Sequence, residues 1–275
     1  MAQPLLVVDA PSLLYRAFYA LPKSITDGDG RPVNALLGSI NIVLREIELH
    51  DPRAVVMCFG IDAAEYRVEL YGDYHADRPP MPDELSPQWE KAPGLYEALG
   101  WYVAQSDDHE ADDLLGSYAT VETEAGGDTL VLTGDRDMFQ CVGKQVKVLY
   151  VRTGSKGAQL VDSDEVKTRY GIPPELVPDF IALRGDPSDG IPGAKGVGEK
   201  TAASLLNRYG SLEGALTGKL AAVADELRTY KEMASLRRLA VERPADRPTN
   251  RTGGADAVRA HGMNRLADRL ASSAE

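Results

Sequence analysis

Cysteine is nearly missing from this chain. Cys58 and Cys141 are its only two, they lie far apart, and neither sits in a metal-binding spacing. That leaves no disulfide framework to read and suits a reduced, cytoplasmic protein. Basic residues are in deficit too: 30 Lys and Arg against 42 Asp and Glu give a formal net charge of -12. A pI near 4.9 argues against a protein that coats nucleic acid non-specifically. It leaves room for a nucleic-acid enzyme with local basic patches and acids neutralised by metal. Aromatics make up 7%, so the core is mostly aliphatic. No apolar run approaches the length that spans a bilayer. The start, MAQPLLVVDAPS, lacks the basic region and cleavage site of a signal peptide. What is present suffices for a sizeable core: 275 residues, 43% hydrophobic and 26% charged, enough for one large domain or a catalytic domain with a smaller companion.

Four short apolar runs read as buried strands: 5–8, 54–59, 129–133 and 146–151. Helical patterns fall between them at 33–49, 88–99 and 111–121. Alternation of this kind predicts an α/β fold with a mostly parallel sheet covered by helices. Ligands of such sheets sit beyond the C-terminal strand ends. Residues 71–87, YGDYHADRPPMPDELSP, carry four prolines and read as a long exposed loop. From about Tyr170 short helices take over, at 174–183, 199–209, 211–216, 220–229 and 230–241. Residues 243–256, RPADRPTNRTGGAD, read as a polar linker before a last short helix near 263–270. The division expected is therefore 1–170, 171–242 and 243–275.

The acids form four clusters: Asp9; Glu110, Asp112 and Asp113 in HEADDLLG; Asp135 and Asp137 in TGDRD; Asp186 and Asp189 in RGDPSDGIPG. Each has a plain reading alone. An acidic first turn balances the helix macrodipole, the better reading of HEADDLLG by itself. TGDRD and GDPSDG could be turns, and Asp9 could cap a helix starting near Ser12. Four clusters in order are much harder to reach by chance. Carboxylates converging without His or Cys fit Mg²⁺ or Mn²⁺ better than Zn²⁺. Two such ions would orient a phosphate, activate water and stabilise the leaving oxygen.

A second feature is IPGAKGVGEKTAASLL, residues 191–206. Two glycine turns lead into a helix, so backbone N–H groups can approach a phosphate at the positive end of that helix. Lys195, Lys200 and Arg208 could add charge-assisted contacts. A packed helical turn with incidental lysines is the plain alternative.

VVDAPSLLYRAFYAL, HEADDLLGSYA, TGDRDMFQ and GDPSDGIPGAKGVGEKTAASLL resemble the bacterial 5′ nucleases. These are flap endonucleases and 5′–3′ exonucleases, including the N-terminal domain of bacterial DNA polymerase I. The resemblance runs from about Leu5 to Val241 with the motifs in family order, and the chain reads as a stand-alone nuclease. It implies a PIN-like α/β core, an arch or clamp at 71–87, and a helix-three-turn-helix element that grips duplex DNA, often through K⁺. By motif position, Asp9, Glu110, Asp112, Asp113, Asp135, Asp137, Asp186 and Asp189 would be metal ligands, direct or through water. DNA contacts would come from Arg16, Arg67, Lys195, Gly196, Val197, Gly198 and Lys200. His75 and Arg78 in the arch would supply the catalytic cation. The implied substrates are 5′ flaps, nicks and gapped duplex, handled by a monomer with polymerase or ligase partners.

Two departures stand out. Relatives usually read Phe-Asp after the second strand, whereas CFGID puts Gly60 in that place. Asp62 has the strand parity to substitute if the chain stays extended there. Relatives usually carry Lys where YHADR has His75, a weaker phosphate partner when neutral. Both departures support the main competing reading, a DNA-junction-binding protein with weakened catalysis. A PIN-like ribonuclease is a third reading, opposed by the duplex-gripping segment.

Overall fold

The computed structural model describes residues 3–152 and 157–272. Strands Leu5–Asp9 (β1), Ala54–Phe59 (β2), Tyr102–Gln105 (β3), Thr129–Thr133 (β4), Val146–Val151 (β5) and Ala158–Val161 (β6) form one sheet in the order β3-β2-β1-β4-β5-β6. All neighbours are parallel except β5 and β6, which are antiparallel. Every residue of β1, β2 and β4 is buried, as unbroken apolar runs in a sheet covered on both faces require. The four expected strands are all there. The two unforeseen ones, β3 and β6, are the sheet edges, where half-exposed sequences such as AQLV carry no apolar run.

The helices are Ala10–Ala20 (α1), Asn34–His50 (α2), Glu65–Leu70 (α3), Ser86–Ala98 (α4), Ala111–Glu124 (α5) and Ser163–Tyr170 (α6), followed by Val177–Arg184 (α7), Glu199–Tyr209 (α8), Leu212–Ala215 (α9), Ala224–Ala234 (α10), Arg251–Ala260 (α11) and Asn264–Ser272 (α12). Alternate residues of β1 point to opposite faces. Leu5 and Val7 join a core with α5, α7, α8 and α10, while Leu6 and Val8 join one with α1, α2, α4, α11 and α12. The strand order reverses between β1 and β4, so their C-terminal ends open a crevice at the switch point.

Three expectations need correction. First, 71–87 is an exposed loop only in part: 76–80 are exposed, but Tyr74 and His75 are buried within its turns and 86–87 already begin α4. Second, the helix expected over 230–241 stops at Ala234. Beyond it, side chains of the core capture the backbone N–H groups: Leu236 N bonds to Gln140 Oε1 at 3.3 Å, Arg237 N to Asp113 Oδ1 at 2.8 Å and Leu239 N to Ser117 Oγ at 2.8 Å. Each such bond replaces one the helix would have made. Third, 243–256 is not a loose linker. Arg53 donates to Pro244 O (2.7 Å) and Asp246 Oδ1 (2.8 Å), and Arg243 Nε to Glu122 Oε2 (2.9 Å). The segment is strapped under the sheet, and Asn250 caps α11. Leu266 and Leu270 of α12 are buried, which contributes about 1.5–3 kcal/mol each and holds the terminal helices on the core.

Candidate active site

Asp9 ends β1 and does two things at once. Its Oδ1 accepts from Ser12 N (3.0 Å), capping α1, and its Oδ2 accepts from Thr133 Oγ1 (2.6 Å) at the end of β4. Thr133 Oγ1 in turn accepts from Asp135 N at 2.9 Å. Asp135 Oδ1 accepts from Asp137 N at 2.8 Å, so the TGDRD turn is set by its own carboxylate. Asp112 enters from the first turn of α5. These four acids lie at the bottom of a cleft of about 1110 Å³, also lined by Glu110, Asp186 and Asp189. Seven of the eight expected acids therefore meet.

The acids differ in electrostatic state. Asp112 and Asp137 open onto the cleft but lie deep below its rim. Burial first, then repulsion from Asp135 and its neighbours, pushes both well above the usual carboxylate range. Burial also raises Asp9, despite its bonds to Thr133 and Ser12 and the charge of Arg16. Asp135 is pushed up to about 6 by burial and by Asp189, Asp9 and Asp186, against the opposing bond from Asp137 N. Asp189 goes the other way. Burial works against its charge, but a bond from His75 and the charges of His75, Arg78 and Arg67 hold it below the usual range.

The remaining acids are already paired. Asp186 holds Arg184 Nη2 at 2.8 Å and Ser188 N at 2.9 Å. Glu110 accepts from Ala64 N, Tyr74 Oη and Arg67 Nη1, each at 2.9 Å. Asp113 does not reach the cleft. It is fully buried, and its oxygens take Arg67 Nη2 (3.2 Å), Tyr66 Oη (2.9 Å) and Arg237 N (2.8 Å). Arg67 is likewise 3% exposed. It is turned into the protein, not toward a DNA backbone as its motif position implied.

His75 is no exposed arch residue. Its Nδ1 lies 2.6 Å from Asp62 O and its Nε2 lies 3.2 Å from Asp189 Oδ1. Its ring stacks on Tyr74, and its backbone is held at φ 54°, a conformation uncommon for a residue with a side chain. Arg78 stands at the rim, bridging Asp62 Oδ1 and Asp189 Oδ1 at 3.1 Å each. Asp62 does not substitute for the absent carboxylate at the floor: its side chain is 75% exposed and points to Arg78.

Gly60 has a steric reason. A Cβ there would stand 2.3 Å from Ala111 N and 2.5 Å from His109 O. The turn after β2 lies flat on the start of α5, tied by Ile61 N to His109 O at 3.1 Å, and no side chain fits between them.

The glycine-rich segment borders the same cleft through Gly198 and Glu199. Gly185 and Gly193, both at positive φ, let the two loops meet backbone to backbone: a Cβ on Gly193 would be 2.3 Å from Gly185 N. Asp186 and Ile191 exchange two 2.8 Å bonds that close the acidic loop. Lys195, Gly196, Gly198 and Lys200 are exposed and Val197 is half-buried, while Gly198 leads α8 with no side-chain cap. Its first N–H groups face solvent and favour an anion. Arg16 is half-buried against Gly134, facing a second cavity between α1, α2 and β5–β6. The partners that sequence reasoning missed are Tyr66, Tyr74, Thr133 and Arg184. Arg184 stands directly before GDPSDG, Thr133 opens TGDRD and Tyr74 opens YHADR, whereas Tyr66 lies in no such motif.

The donor set is all oxygen. Among the described residues, no three His, Cys, Asp or Glu side chains already stand at metal-holding separation. Like charges repel until a cation arrives, and hard divalent ions reach carboxylates partly through their own waters. Asp9, Asp112, Asp135 and Asp137 line one cleft as oxygen donors, and burial and mutual repulsion disfavour their charged forms until a cation is near, so the residues fit a divalent ion.

Comparison with known proteins agrees with this architecture. The family model for the 5′-3′ exonuclease N-terminal resolvase-like domain matches residues 4–171, and that for the 5′-3′ exonuclease C-terminal SAM fold matches 172–251. A 5′-3′ exonuclease of Mycobacterium tuberculosis is 39% identical over 249 residues, covering 83% of this chain and 76% of the relative. DNA polymerase I of Caldicellulosiruptor bescii is 37% identical over 251 residues, 90% of this chain but 29% of the polymerase. Among solved structures, T5 5′-exonuclease with bound zinc superposes with a TM-score of 0.70 at 16% identity, covering 99% of this chain and all of that one. The Rad2 catalytic core in complex with DNA substrate gives 0.62 at 13% identity, covering 98% and 91%. The chain belongs to the 5′-3′ exonuclease family.

Proposed function

We propose that the cleft hydrolyses DNA phosphodiesters near 5′ ends, at flaps, nicks and gaps, with Mg²⁺ or Mn²⁺, in replication and repair. The observation that carries this is the meeting of seven carboxylates beside an exposed glycine turn and helix N-terminus. Asp9, Asp112, Asp135 and Asp137 would hold the cation. Bound there, it supplies Lewis-acid stabilisation and brings water's pKa toward neutrality. The exposed amides near Gly196–Gly198, with Lys195 and Lys200, hold a duplex phosphate and set the register of the strand; K⁺ is a candidate cation at that turn. Arg78, at the rim, meets the phosphate as it enters, and His75 keeps the arch base on Asp189. Binding the duplex at one place and the reacting phosphate at another converts binding energy into orientation. Among the described residues, no helix is long and apolar enough to cross a membrane, and a cytoplasmic monomer goes with this reading.

The test is cleavage of a 5′-flap oligonucleotide with Mg²⁺ or Mn²⁺, alongside a matched RNA. Cleavage of DNA with either ion is expected. Intact DNA under both ions, with junction binding retained, would overturn the catalytic claim in favour of a binding protein, the reading that Gly60 favours. Preference for RNA would favour a ribonuclease.

A further inference from the structure

Arg67 and Asp113 are the two expected site residues that are buried away from the cleft. Their burial calls for an explanation, because a carboxylate and a guanidinium are costly to remove from water unless fully satisfied. Both are satisfied, by partners from three parts of the fold. Arg67 lies on α3, at the base of the arch. Its Nε donates to Met233 O (2.9 Å) near the end of α10, its Nη1 to Glu110 (2.9 Å), and its Nη2 to Asp113 Oδ1 (3.2 Å) on α5. Asp113 also accepts Arg237 N at 2.8 Å, just beyond α10. Tyr66 of α3 donates to Asp113 Oδ2 at 2.9 Å, and the Arg237 guanidinium lies 3.4 Å over the Tyr66 ring. One buried ion pair thus joins the arch base, the acidic helix and the helical domain.

Consecutive helix residues point about 100° apart. Holding Asp113 on Arg67 therefore aims Asp112 into the cleft, toward the Asp135 and Asp9 charges that raise it. We infer that Arg67 and Asp113 are a positioning pair that orients Asp112 and ties the arch to the helical domain, and that Asp113 is not a ligand of the cation. This rests on the cleft being a divalent-dependent 5′ nuclease. It assigns the three acids of HEADDLLG different work: Asp112 to the cation, Glu110 and Asp113 to Arg67.

The experiment compares Asp112→Asn, Asp113→Asn and Arg67→Lys. Free Mn²⁺ is followed by electron paramagnetic resonance without DNA, and kcat and KM are measured on a 5′-flap oligonucleotide. Asp112→Asn, which removes a carboxylate from the cation, should weaken Mn²⁺ binding by more than about 100-fold, and Asp113→Asn, which only loosens the hold on Asp112, by about tenfold. Asp113→Asn should keep KM and lose about 10²-fold in kcat, as misplacement of a reacting group does. Arg67→Lys, whose ammonium lacks the planar fork, should show the same split. Tyr66→Phe removes only the hydroxyl bond to Asp113 and covers the case in which Asp113→Asn does not fold; it should lower kcat about fivefold with Mn²⁺ affinity unchanged. Mn²⁺ binding lost in Asp113→Asn as fully as in Asp112→Asn makes Asp113 a ligand and overturns the inference. Wild-type kcat in Asp113→Asn, or in Tyr66→Phe, overturns the positioning role. Wild-type protein that cleaves no DNA would sink the nuclease reading, while the Mn²⁺ comparison still decides whether Asp113 is a ligand.

Discussion

The floor of the cleft and its arch-side wall are built from the same side chain in opposite conditions. On the floor, Asp9 is buried and Asp112, Asp135 and Asp137 are half-buried around one cleft, and all four are raised above the usual carboxylate range. On the wall and behind it, Glu110, Asp113, Asp186 and Asp189 each hold an arginine, with His75 also on Asp189. Three arginines of the protein serve the four acids of the wall, whereas the floor acids stay raised and would be relieved by charge from outside. Carboxylate content alone thus does not mark a ligand. What marks one is a carboxylate the fold has brought in and left unneutralised.

The largest expected effect separates floor from wall directly. Asp135→Asn should lower kcat on a 5′-flap substrate by about 10³-fold while binding of the flap persists. It should also raise the melting temperature of the chelated protein at neutral pH, since it removes a repelled charge. Asp186→Asn, which takes from Arg184 its 2.8 Å carboxylate and leaves it the longer pair to Glu199 at 3.3 Å, should instead lower that melting temperature. Equal loss of Mn²⁺ affinity in both variants would erase the distinction.

Next is the steric boundary between the two regions. Gly60→Asp restores the carboxylate usual in relatives but drives a Cβ into the α5 backbone. It should cost about 3 kcal/mol by overpacking, measured by urea unfolding, and should not tighten Mn²⁺. A stable Gly60→Asp protein with tighter Mn²⁺ would show that the floor can accept another acid.

A smaller effect reads the floor charge through pH. A carboxyl whose folded pKa is raised contributes stability that is full below its ordinary value of 3.8 and is lost as pH rises through the folded value, about 6 for Asp135. Asp189 and Glu122, held low, act in the opposite sense only as pH falls below their ordinary values of 3.8 and 4.5. Above those values the raised floor acids decide the sign, so the melting temperature of chelated protein should fall between about pH 5 and 7. Mn²⁺ should restore about 2.7 kcal/mol at a hundredfold excess over its Kd at pH 7.5, and much less at pH 5. A Mn²⁺ effect equal at both pH values would break the link between floor charge and cation.

The smallest concerns the glycine turn, which lies on neither surface. Lys200→Ala should weaken duplex binding severalfold, reduce the salt slope by about one unit and leave kcat unchanged. Altered kcat would place Lys200 at the reacting phosphate.

Much of this site was legible in the chain. β1, β2, β4 and β5 announce themselves as apolar runs because a buried parallel sheet demands them, and Asp9 and Asp135 follow strand ends where ligands of such sheets bind. The edge strands β3 and β6 were not legible, having only one demanding face. Nor was the path of 235–250, whose backbone is satisfied by Gln140, Asp113, Ser117 and Arg53, residues distant in sequence.

Sequence by itself determined which acids could meet, since strand ends and turns are local consequences of hydrophobic period and glycine placement. It also determined that the glycine turn would lead a helix. Only the tertiary structure decided which acids keep their charge unneutralised. Asp112 and Asp113 are neighbours of identical chemistry. One faces Asp135 and Asp9, while the other meets a guanidinium contributed 46 residues earlier in the chain. No local pattern records that pairing, because it arises where α3, α5 and α10 pack together.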